Sequence, residues 1–258
     1  MSLGLTYLLR HSDEIYRGHN KVANPTDIST TFHRFNLTTA WKFHEDLTLQ
    51  GTLPWVTATR KESGLPDESY SGLADASLSL LWTPWTENEN LSGFMISLGL
   101  ILPTGETSDQ PIVGVATPAV FQAGTGAFQG TLGLRYSKTV ADWNLGIQLS
   151  SSFALHESDE DFRPATTYYG SISAGRPLTE NLSAKLALDL FHGTRDQLGG
   201  QDIPFTGSTT LSLKPALIWQ VSDQFSASAS VSLPIWRRVN TTQLAVGPLW
   251  SLGMSYNF

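Results

Sequence analysis

Three groups of residues in this chain of 258 residues carry enough chemistry to build a site. The first is a set of ionisable side chains set singly among small, polar or apolar neighbours: Arg10, Arg34, Lys42, Asp75, Arg135, Lys185, Asp189 and Lys214. Six are bases and two are acids, in a chain of net charge −7. Gathered in one water-filled enclosure, such an excess of bases favours anions, carboxylates among them. Paired with one another or with an inserted loop, the same residues would instead close that enclosure. The second group is His156-Glu157-Ser158, an imidazole two residues from a hydroxyl, the base and nucleophile of a hydrolase. That chemistry also needs a group to orient the imidazole, and no Asn lies in 159–180. The third is Asp159-Glu160-Asp161 beside Glu157, oxygen ligands of the kind Ca²⁺ takes, without a glycine-turn loop pattern. A chance His-x-Ser in a loop and a solvated acidic rim explain the last two more simply.

Several chemistries are excluded. There is no cysteine, hence no disulfide, thiolate metal site or Cys nucleophile. The six histidines are scattered and no phosphate loop is present, so no cofactor or metal is expected. The net negative charge speaks against nucleic acid as a partner. The richest uncharged apolar run, Phe94 to Pro103, has ten residues, against the ~18 of a spanning helix.

Positioning the ionisable residues falls to segments with a period of two. At the C-terminus Leu244, Val246, Pro248, Trp250, Leu252, Met254, Tyr256 and Phe258 share one face, and Ser251, Gly253, Ser255 and Asn257 lie on the other. The same alternation runs through 2–10, 31–43, 47–57, 72–82, 92–103, 127–137, 143–155, 166–175, 181–191, 208–219 and 225–235. In 92–103, for example, Phe94, Ile96, Leu98, Leu100 and Leu102 oppose Gly93, Met95, Ser97 and Gly99. Segments of about ten residues, apolar on one face and small or polar on the other, are what a barrel strand in lipid requires. Twelve is even, as an up-and-down barrel with both termini on one side demands. By this parity the eight ionisable residues all face inward, and the remaining inward positions are mostly Ser, Gly, Thr and Ala.

Two further patterns agree. The connections alternate between a short set (44–46, 83–91, 138–142, 176–180, 220–224) and a mostly longer set (11–27, 58–71, 104–126, 156–165, 192–207, 236–243). Outer-membrane barrels have short periplasmic turns and longer outer loops, which puts both termini in the periplasm. Trp41, Phe43, Trp82, Tyr136, Trp143, Trp219, Phe225, Tyr256 and Phe258 fall at the short-turn ends, and Phe35, Trp55, Phe153 and Tyr168 towards the other. Two aromatic girdles suit the two headgroup layers. The loop 104–126 is long enough to fold inward, and its Ile112, Val113, Val115, Val120 and Phe121 would be out of place in water. The N-terminus Met1-Ser2-Leu3-Gly4 shows no signal peptide, so the barrel reading expects a mature chain whose leader is gone.

The last strand, ending in Phe258 with Tyr256 two residues before, resembles the signal by which bacterial outer-membrane proteins are recognised for insertion. More specific are Gly72-Leu73-Ala74-Asp75 opening one strand, Leu102-Pro103-Thr104-Gly105 closing the next, and Gly124-Thr125-Gly126 before the one after. In that order they resemble the outer-membrane transporter family named after the meta-pathway of phenol degradation, over residues 72–134, with Ala74 where a second glycine would stand. The resemblance implies an uptake barrel for small organic, often aromatic, compounds.

The sequence therefore predicts an all-β, closed antiparallel transmembrane β-barrel of twelve strands, one domain over 1–258, in the bacterial outer membrane. Its expected partners are the lipid bilayer and lipopolysaccharide, the insertion machinery engaged through the strand ending in Phe258, and small organic solutes, aromatic or carboxylate-bearing. A passive channel is the reading the inward bases favour. A rim hydrolase of the phospholipase kind, a barrel plugged by 104–126 and a soluble binding barrel remain as alternatives.

Overall fold

The computed structural model describes residues 1–87, 92–107 and 124–258. Among them no helix forms, and twelve long strands follow one another. They are β1 (Ser2–Ser12), β2 (Ser29–His44), β3 (Leu47–Lys61), β4 (Ala76–Glu87), β5 (Ser92–Leu102) and β6 (Gln129–Val140). The second half supplies β7 (Trp143–Ala154), β8 (Thr167–Pro177), β9 (Leu182–Gly193), β10 (Ser208–Gln220), β11 (Phe225–Val239) and β12 (Leu249–Asn257). Each strand pairs antiparallel with its neighbours in sequence, and β12 pairs with β1, so the sheet closes on itself. Closure removes the edges. In lipid, where no water can bond a free N–H or C=O, a closed sheet or a helix is the only spanning solution.

The period-two pattern decides which way each side chain points. Leu98, Leu149 and Ile172, all in mid-strand, are each more than half exposed on the outer face. Their neighbours Ser97, Ser150 and Ser171 turn to the inside. That interior is not packed like a globular core. The largest fully buried side chain among the described residues is Pro54, and the one buried apolar cluster is Val56 with Ala74, flanked by Phe32 and Tyr70.

Both termini lie at the end of the barrel that carries the short turns. Ser2 pairs with Asn257, and the Phe258 N–H donates to the Met1 carbonyl at 2.9 Å. The Tyr256 hydroxyl donates to Gln224 at 2.9 Å while its ring meets Phe258 edge-on, at 4.9 Å between centroids. The opposite end carries the long connections. Ile15–Arg17, Asn20–Val22 and Thr242–Leu244 make one small sheet there, and Phe162–Arg163, Gln197–Leu198 and Gln201–Asp202 another.

Three boundaries differ from the sequence reading. The last barrel strand begins at Leu249 and not at Leu244, because the amides ahead of it are taken elsewhere: Ala245 N–H bonds to Glu14 O, Gly247 N–H to Ser12 Oγ, and Pro248 has none. The segment 72–82 is two pieces. Glu68–Leu73 pairs with the outer half of β3 and β4 starts at Ala76, the break falling where the Ala76 amide bonds to the Thr104 hydroxyl. Finally, β4 continues past Trp82 to Glu87, with a bulge between Trp82 and Trp85, so the connection read as 83–91 is shorter. The apolar residues Ile112, Val113, Val115, Val120 and Phe121 lie outside the described residues, and with them the expectation of an inward-folding loop.

Candidate functional site

Residues directly opposite in a β-ladder share a face. The ladder register can therefore be followed from strand to strand around the inner wall. From Lys185 it runs through Ala216, Ser230, Ser251 and Leu8 to Arg34, linking two bases across six strands. A second row runs from Arg135 through Gln148 and Ser171 to Asp189 and Ser212. Lys214 lies opposite Ala187, which places it diagonally next to Lys185 on the same face. Arg135, Lys185 and Lys214 thus occupy the β6–β10 wall, and Arg10 and Arg34 the β1–β2 wall.

The sequence could give the face of each residue but not its partner, and the partners matter. The Arg10 guanidinium stacks over the inward Phe32 ring at 5.1 Å, a cation–π contact that keeps the charge inside the wall. Arg34 Nε donates to Asn36 Oδ1 at 2.7 Å. Lys42, paired with Thr48, is exposed at the short-turn mouth. Asp189 is buried and accepts a hydrogen bond from Ser171 Oγ at 2.7 Å.

Asp75 departs furthest from its expected place. It stands in the break before β4, where Oδ1 accepts the Gly105 N–H at 3.0 Å and Oδ2 accepts the Thr125 N–H and hydroxyl, each at 2.8 Å. Thr104 Oγ1 accepts the Ala76 amide at 2.8 Å, and Gly124 approaches the Gly105 backbone so closely that a Cβ there would collide with it. The three motifs singled out in the sequence therefore meet in one clasp at the outer end of β4 and β5. Asp75 holds its charge against backbone donors, a charge-assisted arrangement that fixes loop ends.

Ion pairs are distributed unevenly. Those among the described residues join Glu14 to Lys21 and Arg237, Arg60 to Glu62 and Glu68, Lys61 to Asp67, Glu157 to Arg163, and Arg195 to Asp202. All belong to the loop end. None includes Arg10, Arg34, Lys42, Arg135, Lys185 or Lys214, and neither Asp75 nor Asp189 is within 4.0 Å of a base. Among the described residues the acids of the loops pair with bases of the loops, and none of the six inward bases takes part in an ion pair.

The rim pair does not assemble. His156 Nδ1 lies 2.6 Å from the Glu157 carbonyl oxygen, and its ring meets Phe128 edge-on. Ser158 Oγ accepts the amides of Glu160 and Phe162, closing a turn. Nucleophile and base are each committed elsewhere. Glu157 lies 3.9 Å from Arg163, and among the described residues no three His, Asp or Glu converge as a metal site would require.

In overall shape the chain is similar to the COG4313 outer membrane channel from Pseudomonas putida F1, at 16% identity and a TM-score of 0.79, covering 100% of this chain and 95% of that one. It is also similar to the transport unit of the autotransporter AIDA-I from Escherichia coli, at 12% identity and 0.56, covering 100% and 90%. The beta domain of the Bordetella autotransporter BrkA gives 12% and 0.56, covering 99% of each chain. All three are closed barrels, and the likeness establishes this fold. No curated protein matches the sequence. A family model described as "Putative MetA-pathway of phenol degradation" matches residues 13–247.

Proposed function

Because the chain belongs to the family of that description, matched over residues 13–247, we propose that it is an outer-membrane channel for passive uptake of small organic solutes, aromatic or carboxylate-bearing. The observation that carries this reading is the unpaired interior charge. Five bases face the lumen from opposing walls and Lys42 stands at its short-turn mouth, while the two acids are held by Ser171 and by the Gly105 and Thr125 backbone. A lumen with that balance raises the local concentration of anions and steers them through. Small inward residues leave room for a solute, and the ring of Phe32 beside Arg10 offers an apolar face to an aromatic one.

The short-turn end faces the periplasm in this reading and the paired outer loops face the medium. The whole chain acts as one barrel domain, without a cofactor. Its C-terminal strand engages the insertion machinery, and its outer half contacts lipopolysaccharide. A non-catalytic role for His156 and Ser158 fits their separate hydrogen bonds. The test is a planar-bilayer recording on refolded protein under a salt gradient. Discrete conductance with a reversal potential of anionic sign supports the channel, and a barrel that folds but passes no current overturns it.

A further inference from the structure

We propose that the outward face of the barrel carries a dedicated phospholipid site, separate from the lumen. The observation is a groove of about 920 Å³ crossing the wall from β7 to β1, within the ~300–1,000 Å³ range of ligand clefts. Its position follows from residue size. Over most of the lipid face, outward positions hold large residues such as Leu98 and Leu149. Along this path they hold Ala174, Ala184, Pro215 and Ala229, so the floor drops to the backbone. Leu186, Leu217 and Trp250 stand up as its walls.

The groove follows the ladder direction and not the strands. Leu186 pairs with Pro215, and Leu217 with Ala229, while Val231 pairs with Trp250 and Trp250 with Leu9. Its lower end lies at the short-turn side, where Trp143 begins β7 and Arg176 stands near the end of β8. Its upper end lies on β12 and β1, in their loop-side halves. Seven neighbouring strands at ~4.8 Å spacing make it roughly 30 Å long, so with strands tilted ~40° it climbs about 20 Å, a little more than one leaflet.

Charge identifies the occupant. At the lower end the Arg176 guanidinium lies 5.5 Å from the centre of the Trp143 ring and faces outward. No acid lies within ion-pair distance of it among the described residues. Lys138 also faces outward at that end, paired with Leu145 on β7. A fixed cation stacked on an interfacial tryptophan, at the mouth of an apolar channel one acyl chain deep, fits a phosphate with its hydrocarbon tail.

Native mass spectrometry on the refolded chain in micelles, offered palmitoyl-oleoyl phosphatidylglycerol at limiting ratio, tests this. The wild type is expected to retain one lipid above the non-specific background. Ala184→Leu with Ala229→Leu, which raises the floor on the lipid side, should abolish retention while heat-modified gel mobility reports a folded barrel. Arg176→Gln should lower occupancy about five- to tenfold for the phospholipid and leave the binding of diacylglycerol, which has no phosphate, unchanged. Retention by the folded floor-filling variant at the wild-type level would overturn the site, as would an Arg176→Gln variant with undiminished phospholipid binding. A dimer lost on filling the floor would assign the groove to a second copy instead.

Discussion

Asp75 Oδ2 accepts both the backbone N–H and the side-chain hydroxyl of Thr125, fifty residues further along the chain, each at 2.8 Å. With the Gly105 amide on Oδ1, one carboxylate ties the start of β4 to the residues that follow β5 and precede β6. Removing it leaves two amides without an acceptor and the Thr125 hydroxyl with only the Ala127 carbonyl, at 3.3 Å. Asp75→Ala is expected to cost about 2–4 kcal/mol, and Asp75→Asn less, since one oxygen remains. Hydrogen exchange at Gly105 and Thr125 should rise in both variants ahead of exchange in the strands. Unchanged protection at those two amides would show that the clasp is held by something else.

The faces of the strands can be tested independently of any function. Leu98 and Leu149 point into lipid, and Arg at either position should cost about 2–4 kcal/mol near the bilayer midplane. Arg at Ser150, adjacent in sequence to Leu149 but inward, should cost much less. Refolding titrations into lipid vesicles measure the difference, and equal penalties at Leu149 and Ser150 would contradict the assignment.

How far the sequence could be read follows from what alternation encodes. A period of two states the face of a residue and is local, so Leu98, Leu149 and Lys185 were legible one by one. It is silent about where a ladder stops. Leu244, Val246 and Pro248 continue the outward pattern, yet their segment leaves the barrel because Glu14 O and Ser12 Oγ take its amides. It is equally silent about register, so the row from Lys185 to Arg34 emerges only once every strand is aligned with the next. Asp75 shows the remaining gap. Its motif and those around Thr104 and Thr125 were visible as separate signatures, but a carboxylate among alternating residues looks the same whether it faces water or gathers backbone amides.

Acid should act on the two outer loop clusters in opposite directions. The Glu14 carboxyl is held below its ordinary value, first by its hydrogen bond from Lys21 and then by Arg237. A depressed value means that the unfolded state binds the proton first, so this stabilisation is present above the ordinary carboxylate range and lost as pH falls through the folded value. Asp196 is shifted the other way. Burial raises its value, although the Ala165 amide donated to it at 2.7 Å opposes the shift. Between the two values its folded form binds more protons than its unfolded form, so stability rises as pH falls through the raised value. Hydrogen exchange, corrected for its intrinsic pH dependence, should therefore quicken at Ala245, bonded to Glu14 O, and slow at Ala165. Asp196→Asn should give Ala165 the slow behaviour at neutral pH. Parallel changes at both amides would refute the separate assignments.

The most demanding expectation concerns Lys185 and Lys214. They are diagonal neighbours on the inner wall, Lys185 opposite Ala216 and Lys214 opposite Ala187. Diagonal positions in a ladder lie ~7–8 Å apart, so their charges repel unless water or an anion screens them. An internal ion pair would be the simpler account of the cluster, with Asp189 opposite Ser212 as the available acid. That acid accepts from Ser171 Oγ instead, and neither lysine forms a salt bridge among the described residues. In the proposed channel, water or a passing anion would relieve the repulsion, and the pair is proposed as a selectivity element. Replacing both lysines with Gln should lower the anion-to-cation permeability ratio roughly two- to fivefold, as expected for charges worth about 1 kcal/mol in a water-filled lumen. Arg238, exposed and opposite Thr209 on the outward side, supplies the control, since Arg238→Gln removes a cation without touching the lumen. Reversal potentials under a salt gradient separate the two variants. A cation-preferring wild type, or equal shifts from the double lysine variant and from Arg238→Gln, would remove Lys185 and Lys214 from any role in selectivity.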